Sequence, residues 1–334
     1  MTSGVHEPDR FAVRRVVLTV DQDGLPGVTD GPPPNSIYSP TGFGCAELWT
    51  LRGPPGSARD GFDPPRGPFA LEPQAGGLTW RIIRLPVPDA ALPREEQFLH
   101  SASDERFSDE KLGMHRTDTV DFEVILDGEI ELEVESGCAR LGPGDIVVQR
   151  GTRHRWRVVG TKACTYSALM LGTEGGAPGA FDLAPRSGAG SHVRRVVTGL
   201  DGQGRSIVAT DGPPPCQVRG DEMVTHLLYE TGGALSSPLQ GGDTFTNDIA
   251  VAPIGRGVSW RLLEIAPGAN IVQFGGTLDL VVVLQGDAVL EFGSGEPLPL
   301  RPNDCLVNRG LEVAWRATHD RPLHLATAMI APRA

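Results

Sequence analysis

The chain is poor in aromatic residues, at 6%, and it has no surplus of basic ones. Thirty Lys and Arg stand against 42 Asp and Glu, a net charge of −12. Phosphate binding needs clustered cations, so this balance argues against a nucleic-acid partner. No apolar run reaches the roughly 18 residues of a membrane-spanning helix. The first residues, MTSGVHEPDRF, lack the apolar segment of a secretory leader. The five cysteines, Cys45, Cys138, Cys164, Cys216 and Cys305, are scattered and form no CxxC pair. That excludes a disulfide framework and zinc-ribbon spacing, and fits reduced thiols in a cytoplasmic protein. No Ser–His–Asp arrangement and no phosphate-cradling glycine loop stands out.

What the chain does contain is Gly (43) and Pro (29), which fits many turns joining short strands, and a sequence written nearly twice. VRRVV occurs at Val13–Val17 and Val193–Val197, and DGPPP follows 17 and 18 residues after each start. GLTWRIIRLP from Gly77 is echoed by GVSWRLLEIAP from Gly257. TVDFEVILDGEIELEV from Thr119 is echoed by TLDLVVVLQGDAVLEF from Thr277, and LGPGDIVVQRGTRHRW from Leu141 by LRPNDCLVNRGLEVAW from Leu300. Matches in one order over such lengths indicate a duplicated domain rather than a solenoid repeat.

Each half reads as all-β. EIELEV and DAVLEF alternate with period two, and short apolar runs are bounded by Gly, Pro, Asp and Asn. A sandwich or barrel follows. The expected division is a first domain over 1–175, a linker over 176–191 rich in small residues, and a second domain over 192–334. The first domain carries an insertion, 88–113, where the second has a short turn; it is read as a lid or as a surface excursion. A Pro- and Gly-rich stretch, 54–73, reads as a surface loop.

Within the first domain one strand draws attention. His115, Thr117, Thr119, Asp121 and Glu123 share one face of it; Val120, Phe122, Val124 and Leu126 share the other. The apolar set is expected to pack against a sheet or subunit. The polar set faces either bulk water or a barrel interior. A second strand, after Pro143–Gly144–Asp145 and Gly151, carries His154 and Trp156.

These residues resemble the cupin family. Its first motif has a His, a second His two on, then a Glu, and a Gly seven beyond the Glu; its second has a PGD turn, a Gly and a His. Here Gly128 sets the register. Asp121 takes the place of the Glu, His115 that of the first His and Thr117 that of the second, and His154 is the last ligand. The resemblance covers both halves. It implies two tandem cupin-type (double-stranded β-helix, jelly-roll) barrels, a bicupin.

The resemblance also implies a function: a small-molecule enzyme acting on an organic acid or an aromatic or polyketide-like metabolite, by dioxygenase, decarboxylase, isomerase or cyclase chemistry. Its implied metal set is His115, Asp121 and His154, suited to Fe(II), Mn(II) or Zn(II). Asp121, Glu123 and Thr117 are the catalytic candidates. The departures from the motif leave a metal-free cavity with an acid–base histidine as the other reading. A metabolite-binding or structural bicupin is the alternative function, and a homodimer is a further expectation.

The second half behaves as an internal control. Gln273, Gly275, Asp279 and Val313 stand where His115, Thr117, Asp121 and His154 stand in the first. Lacking both histidines, the second barrel is expected to be metal-free and structural. Trp80 and Trp260 occupy equivalent positions and read as packing residues. Arg150, Arg153, Arg155 and Arg157 read as a solvated strand edge or as a site for an anion. Trp156 and His100 are candidates to line or cap the cavity. DGPPP reads as turn chemistry.

Overall fold

The computed structural model describes residues 11–88, 113–175, 191–231, 249–253 and 257–332, except the single positions 22, 24, 40, 65, 68 and 319. The insertion with His100, and the linker, thus lie outside the described residues apart from positions 88, 113 and 191.

Alternating and β-branched segments form strands throughout, and no helix occurs among the described residues. The first half contains β1 (Arg15–Val20), β2 (Pro26–Gly31), β3 (Asn35–Tyr38), β4 (Gly44–Leu51), β5 (Leu78–Leu85), β6 (Thr119–Asp127), β7 (Glu129–Val134), β8 (Gly137–Leu141), β9 (Ile146–Arg150), β10 (His154–Val159) and β11 (Cys164–Gly172). The second contains β12 (Arg195–Leu200), β13 (Ser206–Gly212), β14 (Cys216–Arg219), β15 (Met223–Glu230), β16 (Val258–Ile265), β17 (Asn270–Gln273), β18 (Leu278–Gln285), β19 (Ala288–Glu291), β20 (Leu298–Leu300), β21 (Cys305–Arg309), β22 (Val313–Ala317) and β23 (Leu323–Ile330).

Each barrel pairs one eight-stranded sheet with a smaller one. The first combines β13-β12-β9-β6-β11-β5-β4-β3 with β10-β7-β8; the second combines β14-β15-β16-β23-β18-β21-β1-β2 with β17-β22-β19-β20. The opening hairpin of each half has therefore crossed to the other. β1 runs parallel to β21, and β12 runs parallel to β9.

This exchange accounts for VRRVV and DGPPP. Arg14 binds Asp30 of its own repeat at 2.8 Å and Asp304 of the other at 2.5 Å. Arg194 repeats the clamp with Asp211 and Asp145, both at 2.8 Å. The second arginine of each motif is buried and donates to a backbone carbonyl, Arg15 to Leu48 and Arg195 to Leu228. The Asp of DGPPP thus ends a strand as an ion-pair partner, where turn chemistry was expected.

The large sheets pack back to back. Their shared core includes Trp80, Val120, Phe122 and Val124 from one half and Tyr229, Trp260 and Leu262 from the other. Phe122 stacks on Trp260 with centroids 4.7 Å apart and planes 12° apart. Offset aromatic pairs add about 0.5–1.5 kcal/mol beyond the area they bury. The apolar face of β6 and the equivalent tryptophans thus build the contact between barrels. The interiors are separate cores, one including Ile125, Tyr166 and Ala168, the other Val283, Leu290 and Trp315.

The β6–β7 turn depends on one glycine. Gly128 has φ +77°, and a Cβ there would lie 2.4 Å from the Ala163 carbonyl oxygen and 2.9 Å from Cys164 Cα. Those atoms are backbone and cannot swing away. Gly128→Ala is expected to lose at least about 1–2 kcal/mol, the left-handed cost alone, as read by urea unfolding. Unchanged stability would show that this turn tolerates a side chain.

Candidate active site in the first barrel

His115 lies just before β6, and His154 opens β10. The two form an isolated antiparallel bridge, each amide donating to the other's carbonyl at 2.9 Å. Their rings sit 4.5 Å apart, centroid to centroid, tilted by 50°. The pairing expected from the motif spacing is thus present. His115 Nδ1 is 2.8 Å from the Gly113 carbonyl. His154 Nδ1 is 2.9 Å from the Thr152 carbonyl and 2.7 Å from Gln149 Nε2. These contacts engage both Nδ1 atoms. Burial pushes the His154 pKa down to about 3; His115 adds to this, and the bond to Thr152 opposes it. His154 is therefore neutral at physiological pH. Trp156 meets His154 edge-on and stacks on Tyr166.

The polar face of β6 points into the barrel, not to bulk water. Residues Thr119 to Ile125 are all buried. Since Val120, Phe122 and Val124 fill the core between barrels, Asp121 and Glu123 face inward. Burial raises the Asp121 pKa to about 7; a hydrogen bond from Thr119 and the charge of Arg81 lower it, while Glu72 raises it. Glu123 is held well above the usual carboxylate range, first by burial and then by Asp121. Asp121 Oδ1 and Glu123 Oε2 are buried without a hydrogen-bond partner among the described residues. Thr117 is buried as well, and its hydroxyl lies 2.8 Å from that of Thr119.

Register identifies neighbours that sequence reasoning missed. Val147, Glu123, Ala168, Arg81 and Glu47 stand opposite one another across five adjacent strands and share one face. Arg81 and Glu47 form a buried ion pair at 2.7 Å, and Asn35 donates to the other Glu47 oxygen at 2.6 Å. Gln149 stands opposite Asp121. Arg81 sits in a repeated motif, so only the contrast between Glu47 and its counterpart Leu227 was available as a signal.

The basic run does not act as one. Arg155 pairs with Glu133 and Arg157 with Glu131, each at 2.5 Å across the β7–β10 ladder. Arg150 is fully buried, contrary to a solvated edge. The stretch 54–73 is also more than a surface loop: Asp63 pairs with Arg15 at 2.7 Å, and the Ala70 and Leu71 carbonyls accept from Arg81.

The second barrel shows what the same position becomes without histidines. Asp279 accepts from Thr277 at 2.6 Å, Gln273 at 2.8 Å and Asn308 at 3.3 Å. Trp315 donates to Gln273 at 2.9 Å. Both Asp279 oxygens are satisfied by protein, whereas Asp121 keeps an unpartnered one.

Two back-to-back jelly rolls, one with a buried imidazole pair beside inward carboxylates, give the chain a bicupin fold. No family model matches it. It is 31% identical over 133 residues to the cupin-domain-containing oxidoreductase srdB of Neurospora crassa, covering 38% of this chain and 66% of that protein. It is 64% identical over 44 residues to oryzines biosynthesis cluster protein J of Aspergillus oryzae, and 58% over 45 residues to phomopsin biosynthesis cluster protein D of Diaporthe leptostromiformis. Each of those matches covers 13% of this chain, which spans about a quarter of either relative, 25% and 24%. Among solved structures it is similar to the putative glyoxylate induced protein of Pseudomonas aeruginosa, with TM-score 0.47, 9% identity, and 90% and 84% of the two chains covered.

Proposed function

We propose that the first barrel is the active site of an enzyme acting on an organic acid or an aromatic or polyketide-like metabolite. The observation that carries this reading is the contrast between the halves. The first barrel holds an imidazole pair and two buried carboxylates with unpartnered oxygens; the equivalent carboxylate of the second is saturated. An unpaired buried oxygen costs stability, roughly 1–3 kcal/mol or more when charged, and such sites are where ligands make up the missing bonds. The names of the curated relatives, an oxidoreductase and biosynthesis cluster proteins, agree with small-molecule chemistry.

The donors also fit a divalent metal in kind. A backbone carbonyl lies beside each Nδ1, an outer contact that metal-binding histidines commonly make, and Gln149 Nε2 lies 2.7 Å from that of His154 as well. His115 and His154 would hold the ion with Asp121, whose donor atoms do not all lie within 4.8 Å of theirs here, and Fe(II), Mn(II) and Zn(II) all accept such a set. Bound there, the metal would polarise a substrate oxygen. Glu123 is left to move a proton, and Arg81, one strand beyond Ala168, supplies a positive charge to the same interior face. Thr117, tied to Thr119, orients the approach to Asp121. Free cysteines agree with a cytoplasmic setting, and among the described residues no helix is long and apolar enough to cross a membrane. The partner is a small molecule rather than nucleic acid, and the functional unit a homodimer.

A panel of organic acids and phenols, screened by thermal shift and then for conversion, tests the proposal. Asp121→Asn and His154→Ala are each expected to lower turnover of the converted compound by at least about 100-fold. Metal content of the fresh protein should fall in His154→Ala. A ligand that stabilises the protein without being converted would make the barrel a binding module instead.

A further inference from the structure

The second half has its own histidine cluster, outside its barrel interior. His226 on β15, Glu264 on β16 and His324 on β23 lie on three adjacent strands, with Glu264 directly opposite His324. His192, just before β12, reaches over them. Donor atoms of His192, Glu264 and His324 all lie within 4.8 Å of one another. His192 Nε2 is 3.3 Å from Glu264 Oε1, and His226 Nε2 donates to the same oxygen at 2.8 Å. His226 is buried and its Nδ1 is 3.3 Å from the Ser191 hydroxyl.

The duplicated fold does not require these residues. Strand register and motif alignment place Ala12, Ala46, Arg84 and Thr165 at the corresponding positions of the first half. None of them offers an imidazole or carboxylate. Three of the chain's eight histidines have gathered where its twin has none.

We propose that His192, Glu264 and His324 bind a divalent transition metal of the zinc class, with His226 fixing the Glu264 carboxylate from behind. Two imidazoles and a carboxylate make a three-ligand set that leaves a position for water. The exposed His192 ring, 68% accessible, keeps that position open to solvent. Ligating carboxylates are themselves hydrogen-bonded from outside, as Glu264 is by His226. Because β12 lies in the first barrel's sheet while β16 and β23 lie in the second's, the ion would staple one barrel to the other.

Zinc titration of the tag-free, chelator-treated full chain, by calorimetry and by competition with a chromophoric chelator, tests this. One equivalent should bind in the His154→Ala variant, where the first barrel is disabled. Adding His192→Ala or His324→Ala should remove that equivalent. His226→Gln should weaken it by about 10- to 100-fold, as loss of an outer partner does. Cobalt(II) should give a d–d absorption band in His154→Ala that His192→Ala abolishes, and zinc should raise the melting temperature of the parent more than that of His192→Ala. His192 is exposed, so its replacement leaves folding intact. Equal zinc affinity and stoichiometry with and without His192 and His324, or no uptake by His154→Ala, would overturn the proposal. Neither outcome touches the proposed enzyme site, whose readouts are turnover and metal loss in His154→Ala.

Discussion

Arg81→Ala is expected to destabilise the protein by about 3–5 kcal/mol, the usual cost of stranding one member of a buried ion pair. The remaining Glu47 would keep Asn35 as a donor but would lose both guanidinium contacts in a position 7% exposed. Glu47→Leu should cost clearly less, although it breaks the same pair. The second half makes the case, because it already carries that combination. Leu227 stands opposite Arg261 as Glu47 stands opposite Arg81, and Arg261 is held by the Ser259 hydroxyl at 2.8 Å and the Val251 carbonyl at 3.2 Å. Arg81 likewise retains the Ala70 and Leu71 carbonyls when Glu47 is gone. A cation can fall back on loop carbonyls, whereas the stranded carboxylate has only the Asn35 amide. Urea unfolding of the three proteins decides it: equal losses would show that the pair, and not the stranded anion, sets the cost.

The same contrast shows how far a sequence can be read. Period-two alternation and repeated turns make the all-β class and the duplication visible, because both are local properties of the chain. The imidazole pair is visible too, since its spacing to Gly128 is set by the turn. Partners across strands are another matter. VRRVV and DGPPP repeat because Arg14 must reach Asp304, 290 residues away, and Arg194 must reach Asp145. No local pattern records such a distance, so a structural clamp reads as turn chemistry. Alternation shows that Asp121 and Glu123 share a face, but only the exchanged sheets reveal that the opposite face is taken by the other barrel. Glu47, Gln149 and the His192–Glu264–His324 cluster escape for the same reason: each is assembled from strands whose neighbours are set by topology. Arg150 shows the converse error, a charge in a basic run that packing has buried.

Asp279 gives the second large effect, and its sign follows from linkage. Burial raises its pKa in the folded protein from 3.8 to about 7, with hydrogen bonds from Thr277 and Asn308, the charge of Arg261 and a hydrogen bond from Gln273 all pulling the other way. The folded state therefore binds more protons than the unfolded state between those two values. Stability from this group is fully present below pH 4 and is lost as pH rises through 7. Each pH unit in that window is worth about 1.4 kcal/mol, so the whole swing is on the order of 4 kcal/mol. Asp279→Asn cannot ionise. Its cost in misplaced hydrogen bonds is the same at every pH, while the parent loses its advantage on the way to neutrality. The stability difference between parent and Asp279→Asn, measured by urea unfolding from pH 4 to pH 8, should shift by that amount in favour of the variant. Contributions from Asp121, Glu123 and the surface groups are common to both proteins and cancel in the difference. A difference that stays flat with pH would mean that the hydrogen bonds around Asp279 stabilise its anion as well as water does, and that the buried carboxylate of the second barrel carries no ionisation penalty.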